Sequence, residues 1–260
     1  MLSHVTFTGW DQRTDLHELA AFCGDYPQER IEVAVLYSAN QQDADRYPLV
    51  EKARDILRTA RAAGQRTAVH ICGRAARSLL QDVEEDAAGI RVFSSAGPLI
   101  SAAQRVQVNV GEEFWPDGDG RYKQAWLVAR AIGRPVIVQS RSIGGWPDVE
   151  HFGPGASRMV PFLFDRSAGT GAAPIDWPFP RANLLVGYAG GLGPDNVADL
   201  CASIAGARID GSRWWLDMES RIRAPFALVD RRADEPPTQT FVSIDRCRQV
   251  MRAVAPWLLP

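Results

Sequence analysis

Phe162–Trp177 reads FLFDRSAGTGAAPIDW. A short apolar run ends in an acid, Asp165. A small, glycine-rich loop follows, Gly169-Thr170-Gly171, and then a second acid beside an aromatic, Asp176-Trp177. A buried strand that delivers a carboxylate into a loop able to wrap a ligand is an active-site pattern. A second such signal comes directly after it. Leu184–Val197 reads LLVGYAGGLGPDNV, an apolar run that opens into Gly190-Gly191 and a helix start near Pro194.

Working outward, eight short runs read as strands: His4–Thr8, Ile31–Ser38, Arg66–Cys72, Arg105–Val110, Pro135–Ser140, Met159–Asp165, Leu184–Ala189 and Arg213–Met218. Most are bounded by glycine, proline or polar residues, as buried strands are. Helical patterns lie between most of them, at Asp15–Cys23, Pro48–Ala63, Tyr122–Ile132, Asn196–Ala205 and Ile244–Val254. Ala75–Gln104 begins as a helix, but Gly89, Gly97 and Pro98 leave its middle ambiguous. Arg141–Arg158 has no helical face and reads as a loop. Strands alternating with helices predict an α/β protein, a single (β/α)8 barrel over residues 1–260 with the fifth helix replaced by a loop. The alternative is an open doubly wound sheet, whose usual glycine fingerprint after the first strand is missing.

The chain has 260 residues, and roughly 250 is typical of such a barrel. Its formal net charge of -2 gives no general attraction to nucleic acid or anionic lipid, so neither is expected as a partner. Positive charge is almost all arginine; the lysines are Lys52 and Lys123, and neither falls on a strand, which argues against a Schiff-base aldolase. Cys23, Cys72, Cys201 and Cys247 have no CxxC spacing. The first, third and fourth lie in apolar helical patterns and read as small core residues. No signal sequence and no membrane-crossing apolar run is legible, which makes a cytoplasmic setting the expectation. Oligomeric state is not legible.

Alternate residues of a strand point to opposite faces. Where Val5 and Phe7 face the helices, His4, Thr6 and Thr8 face the barrel interior. The same parity sends His70 and Cys72 inward from the third strand, Gln107 and Asn109 from the fourth, and Gln139 and Arg141 from the fifth. It sends Leu163 and Asp165 inward from the sixth and Trp215, Asp217 and Glu219 from the eighth. The polar ones gather at the C-terminal strand ends, where barrel enzymes place their chemistry. Burying so many hydrogen-bonding groups is unfavourable unless they pair with each other, as a polar plug, or bind a ligand.

These residues resemble phosphoribosylanthranilate isomerase, a (β/α)8-barrel family of tryptophan biosynthesis. The resemblance covers most of the chain and is strongest in its last third. The family's sixth strand ends in a catalytic Asp, then Gly-Gly-Thr-Gly and Phe-Asp-Trp, against Asp165, Ala168-Gly169-Thr170-Gly171 and Ile175-Asp176-Trp177 here. Its seventh strand runs into Ala-Gly-Gly-Leu-x-Pro-x-Asn-Val, matched throughout by Ala189–Val197. Val106–Glu112 is similar to a divergent form of its fourth strand end, Val-Gln-Leu-His-Gly-x-Glu. Asp217–Arg223 stands against its eighth, Asp-Val-Ser-Ser-Gly-Val-Glu. The resemblance implies an aldose-to-ketose rearrangement of an N-linked phosphoribose without a cofactor. Asp165 would be the general acid, and a cysteine at the end of strand one the general base. It implies phosphate binding by Gly190, Gly191 and the eighth-strand loop at Ser220.

The first strand departs from the family, which has Lys-Ile-Cys-Gly where this chain has Thr6-Phe7-Thr8-Gly9. A threonine hydroxyl is a poor base, so efficient isomerisation of the parent substrate is not expected. Cys72, projecting inward near His70, is the candidate substitute. At strand eight Ser-Gly becomes Ser220-Arg221, and Arg221 either clamps a phosphate or fills its space. The expected site is therefore Asp165, Cys72, His70 and Thr8 for catalysis. Gly169, Thr170, Gly171, Gly190, Gly191, Ser220, Arg221, Gln107, Asn109, Arg141, Asp217 and Glu219 are expected to bind a phosphorylated small molecule. No metal is expected; His70 with Asp217 and Glu219 is the one set that would offer ligands for a metal-assisted lyase or hydrolase. A non-catalytic binder of the same ligand is the other alternative.

Overall fold

A computed structural model of the chain describes residues 1–81, 83–86, 89–92, 94–116, 119–141, 155–166, 177–180, 184–206, 212–225 and 240–259. In chain order its elements are β1 (Leu2–Thr8), α1 (Leu16–Gly24), β2 (Ile31–Tyr37), α2 (Val50–Ala62), β3 (Arg66–Cys72), α3 (Gly73–Gln81), β4 (Val83–Asp86), β5 (Gly89–Val92), α4 (Gly97–Ala102), β6 (Arg105–Asn109) and α5 (Asp119–Ile132). They continue with β7 (Val136–Ser140), α6 (Ala156–Met159), β8 (Phe162–Asp165), β9 (Leu185–Ala189), α7 (Val197–Gly206), β10 (Arg213–Met218), β11 (Arg223–Pro225), β12 (Thr240–Val242) and α8 (Ile244–Val254).

Eight of the strands, β1, β2, β3, β6, β7, β8, β9 and β10, pair in parallel in that order, and β10 pairs back to β1 to close the barrel. The alternation of the sequence explains the closure. Val5, Phe7, Val33, Val35, Val69, Ile71, Val106, Val108, Val136, Val138, Val186 and Leu216 face the helices and are fully buried. Helix α2 meets them with Ala53, Ile56, Leu57 and Ala60, an apolar stripe at helical spacing. Asp15 caps α1, its carboxylate accepting from the backbone N–H groups of His17 and Glu18 at 2.8 and 3.1 Å.

The ambiguous stretch after β3 resolves into α3, an antiparallel β4–β5 hairpin and α4, so that connection carries an insertion beyond the simple repeat. The expected fifth loop falls mostly on residues 142–154, outside the described ones. Its end carries α6, a four-residue turn that includes Met159, so the sixth barrel strand begins at Phe162 rather than Met159. No helix among the described residues is long and apolar enough to cross a membrane.

Inside the barrel, side chains sit in layers. At the N-terminal end, Glu32 accepts from Thr6 Oγ1 at 2.8 Å and from Arg105 Nε at 2.7 Å, with a second, shorter contact to Arg105 Nη2. Arg105 Nη2 also donates to His4 Nε2 at 3.0 Å, which leaves the proton on Nδ1 to reach Ser3 Oγ at 2.8 Å. Burial and the Arg105 charge hold His4 well below the ordinary histidine range, so it is neutral. Burial alone would raise Glu32; the Arg105 charge and the hydrogen bonds from Arg105 and Thr6 overcome that and bring it down to about 2. Above this network, Ile137, Leu163, Ala189 and Trp215 form an apolar partition. The indole lies over Gly187, where any Cβ would come within 2.3 Å of it.

The C-terminal rim is tied by Arg223. Its buried guanidinium donates to Asp11 at 2.8 Å, Asp45 at 3.0 Å, Thr240 Oγ1 at 2.7 Å and the Gly9 carbonyl. The loops after β1 and β2 are thereby joined to the β11–β12 ribbon.

Candidate active site

The polar ends of the strands meet in a cavity of about 120 Å³ at the C-terminal mouth. Thr8, His70, Gln107, Asn109, Gln139, Asp165, Asp217 and Glu219 line it from β1, β3, β6, β7, β8 and the end of β10. Gly190 and Gly191 close one side, with φ of 109° and 59°, values in the left-handed region that a side chain would disfavour. Ser220 stands at the rim and is exposed.

Two carboxylates at strand ends have different surroundings. Asp165, at the end of β8, accepts from Gln139 Nε2 at 2.6 Å. Asp217, in β10, accepts from Thr8 Oγ1 at 2.7 Å, and its other oxygen lies 3.9 Å from His70 Nε2. Burial pushes the Asp217 carboxyl up to about 8, against the opposing hydrogen bond from Thr8; Glu32, Glu219 and Asp165 add to the rise. Burial lowers His70 to about 4. At neutral pH the pair is therefore a mostly protonated acid beside a neutral imidazole, and 3.9 Å is too long for a hydrogen bond. His70 Nε2 and Gln107 Oε1 are buried without a hydrogen-bond partner among the described residues. Both residues line the cavity, and a buried unpaired polar atom is costly unless something arrives to pair with it.

Several expected residues are placed elsewhere. Cys72 does not line the cavity. Its sulfur accepts from Asn109 Nδ2 at 3.5 Å, its thiol donates to the His70 carbonyl at 3.7 Å, and burial pushes it up to about 11. It is a protonated thiol at neutral pH, not the substitute base. Arg141 is exposed and outside the lining. Arg221 lies outside the lining, and its guanidinium pairs with Asp195 at 2.9 Å on the neighbouring surface. Gly169, Thr170, Gly171 and Asp176 lie outside the described residues. No group of three or more His, Cys, Asp or Glu among the described residues is arranged to hold a metal ion, and His70, Asp217 and Glu219 do not amount to one.

Arg46 was not anticipated. It reaches the cavity from the loop after β2, with φ of 73°, and pairs with Glu219 at 2.5 Å. A non-glycine residue at such φ is uncommon and often marks a functional loop. Nothing in the local sequence AlaAspArgTyr (44–47) announces it, because its position depends on where a long loop folds back.

No protein-family model matches the chain, and no curated protein matches it in sequence. Among solved structures it is similar to phospho-2-dehydro-3-deoxyheptonate aldolase from Thermotoga maritima, with a TM-score of 0.52 and 8% identity over 98% of this chain and 68% of that one. It is also similar to thiamine phosphate pyrophosphorylase from Pyrococcus furiosus, with a TM-score of 0.47 and 11% identity over 98% of this chain and 96% of that one. A D-psicose 3-epimerase gives a TM-score of 0.44 and 10% identity over 98% and 97% of the two chains. At 8% identity the likeness to the aldolase is one of fold alone, in keeping with the closed parallel barrel described above.

Proposed function

We propose that the barrel binds a small phosphorylated, sugar-like molecule at its C-terminal mouth and moves protons on it, as an isomerase-like enzyme with Asp165 as general acid. The observation that supports this reading is the pair of strand-end carboxylates, Asp165 and Asp217, lining one cavity with unpartnered His70 Nε2 and Gln107 Oε1 between the same walls. Opening a sugar ring needs an acid at the ring oxygen. Shifting hydrogen between adjacent carbons needs a base, each within reach of the substrate.

Thr8 does not supply that base, because its hydroxyl is a donor to Asp217. The role passes to Asp217 itself. A carboxyl raised to about 8 is a strong base in its ionised fraction and sits near the operating pH. As Asp165 gives its proton to the ring oxygen, the C1–O bond breaks and a lone pair on the substituent nitrogen or oxygen forms the double bond to C1. Asp217 takes the proton from C2 and returns it to C1, and the C2 hydroxyl gives its proton back to Asp165 as the ketone forms. A phosphate would accept from the Gly190 and Gly191 backbone and from Ser220. Glu219, neutralised by Arg46, lowers the repulsion that it would meet. An exposed pair such as Arg46–Glu219 is worth only ~0–1 kcal/mol, so a phosphate would displace Glu219 at small cost.

The test is turnover of sugar-phosphate amines and aldose phosphates by the native chain and by Asp165→Asn. We expect turnover that falls by ~10²–10⁴-fold in the variant. Turnover untouched by the substitution would overturn the assignment. Binding without turnover in either chain would favour the second reading, a non-catalytic binder of the same ligand. Cys72 as a protonated thiol off the cavity and Thr8 as a committed donor support that reading.

A further inference from the structure

The opposite end of the barrel holds a larger cavity, about 660 Å³. Its wall is cationic for a reason readable in the strands. Arg66, Arg105 and Arg213 are the first residues of β3, β6 and β10, and Arg158 comes from α6 just before β8. Each strand start thus delivers a guanidinium to the same mouth. Only part of that charge is offset. Glu29 pairs with Arg66 at 2.9 Å, and Glu32 is bound by the buried Arg105. Arg158 and Arg213, both exposed, have no carboxylate partner among the described residues, so an excess of two positive charges faces the cavity. Two donors are also left over. Arg105 Nη1 and Arg66 Nε are buried and lack a hydrogen-bond partner among the described residues, and Arg105 as a residue is only 5% exposed.

Several guanidinium groups lining one cavity suit a tetrahedral oxyanion, which can accept N–H groups from more than one of them. We propose that the N-terminal mouth is a second ligand site, for a small phosphate-type dianion held by Arg66, Arg158 and Arg213 over the buried Arg105. The apolar partition around Trp215 separates it from the cavity at the other end, so the two sites are physically distinct. The dianion's charge matches the local excess carried by Arg158 and Arg213.

Two measurements test this site apart from the glycine loop. Crystals soaked in selenate, a tetrahedral dianion with an anomalous signal, locate bound oxyanions directly. A peak within hydrogen-bond distance of Arg158 and Arg213 supports the proposal, whatever is seen at Gly190 and Gly191. A peak at the glycine loop alone overturns it and leaves the reading of the other mouth standing. In solution, calorimetric titration with inorganic phosphate compares the native chain with Arg158→Ala/Arg213→Ala. Both side chains are exposed, and circular dichroism checks that the variant folds. We expect affinity to fall about tenfold or more, the worth of a charge-assisted hydrogen bond. Unchanged phosphate affinity in the variant, equally tight binding of succinate, or saturation only at crystal-soak concentrations (an adventitious ion only) would each overturn the proposal.

Discussion

The two ends of this barrel interior are both lined with charge and hydrogen-bonding groups, yet they resolve that burden in opposite ways. At the N-terminal end Glu32, Arg105, Thr6, His4 and Ser3 form a chain in which most groups find a partner within the protein, and burial is survivable because the charges are paired. At the C-terminal end burial is met by neutralisation. Asp217 is raised to about 8 and His70 is lowered to about 4, and buried atoms of His70 and Gln107 are left unpaired. A paired network contributes to holding a fold. A neutralised and incomplete one costs stability until a ligand completes it. Under the proposed function the first layer works mainly for the fold and the second for chemistry, and substitutions can break that division.

The largest effect is expected at the C-terminal mouth. Asp217→Asn keeps an acceptor for Thr8 but removes the proton-accepting carboxylate. Turnover should fall by ~10²–10⁴-fold while thermal unfolding moves little or upward. A large loss of stability instead would mean that Asp217 belongs with the structural layer. The next effect lies at the other end. Arg105→Met strands the Glu32 carboxylate in the interior and should cost ~3–5 kcal/mol in chemical denaturation. The double change Arg105→Met/Glu32→Gln should recover much of that, because no unpaired buried charge remains. If the single change is harmless, the paired network is not what holds that end.

The smallest of the three is read by pH. Glu32 has its folded value depressed to about 2 from an ordinary 4.5. Its contribution is fully present above 4.5 and is lost as pH falls towards 2, a loss on the order of 3 kcal/mol. His70 is lowered from 6.5 to about 4, so the unfolded chain binds the proton first, and stability falls across that window as well. Asp217 runs the other way, since its raised value makes the fold lose stability as pH climbs from 3.8 to about 8. Unfolding free energies measured between pH 3 and 9 in native, Glu32→Gln and His70→Asn chains separate the contributions. A Glu32→Gln profile that still shows the full loss below 4.5 would remove Glu32 from the account.

The barrel is legible because each of its strands carries apolar residues at every second position, with turn residues near most of them, and the expected and observed strands agree within a few residues. The interior parity was legible for the same reason, which is how Thr8, His70, Gln107, Asn109, Asp165 and Asp217 were read onto one mouth. Glu32 and Arg105 were not singled out. The signal was present, since a lone acid inside IleGluValAlaVal must be paired when the strand is buried, and Arg105 precedes Gln107 at inward parity. Arg46 and the orientation of Arg221 were not legible, because both depend on loop paths and on which carboxylate lies nearest. The β4–β5 hairpin was hidden by its shortness and by an acidic first strand, ValGluGluAsp, that has no strand-like alternation. For Cys72, parity gives direction but not depth: the thiol stands outside the cavity lining, accepts from Asn109, and is raised to about 11 by burial.

The contact between Trp215 and Gly187 has an evolutionary reading. The indole occupies the space in which a Cβ at position 187 would stand, 2.3 Å from its ring atoms. Position 187 cannot gain a side chain alone. A lineage that acquires alanine there must first shrink the residue at 215, and Leu163, whose Cδ1 would stand 2.7 Å away, must give as well. Related sequences should therefore show the two positions changing together, with glycine opposite tryptophan or a larger residue opposite a smaller one.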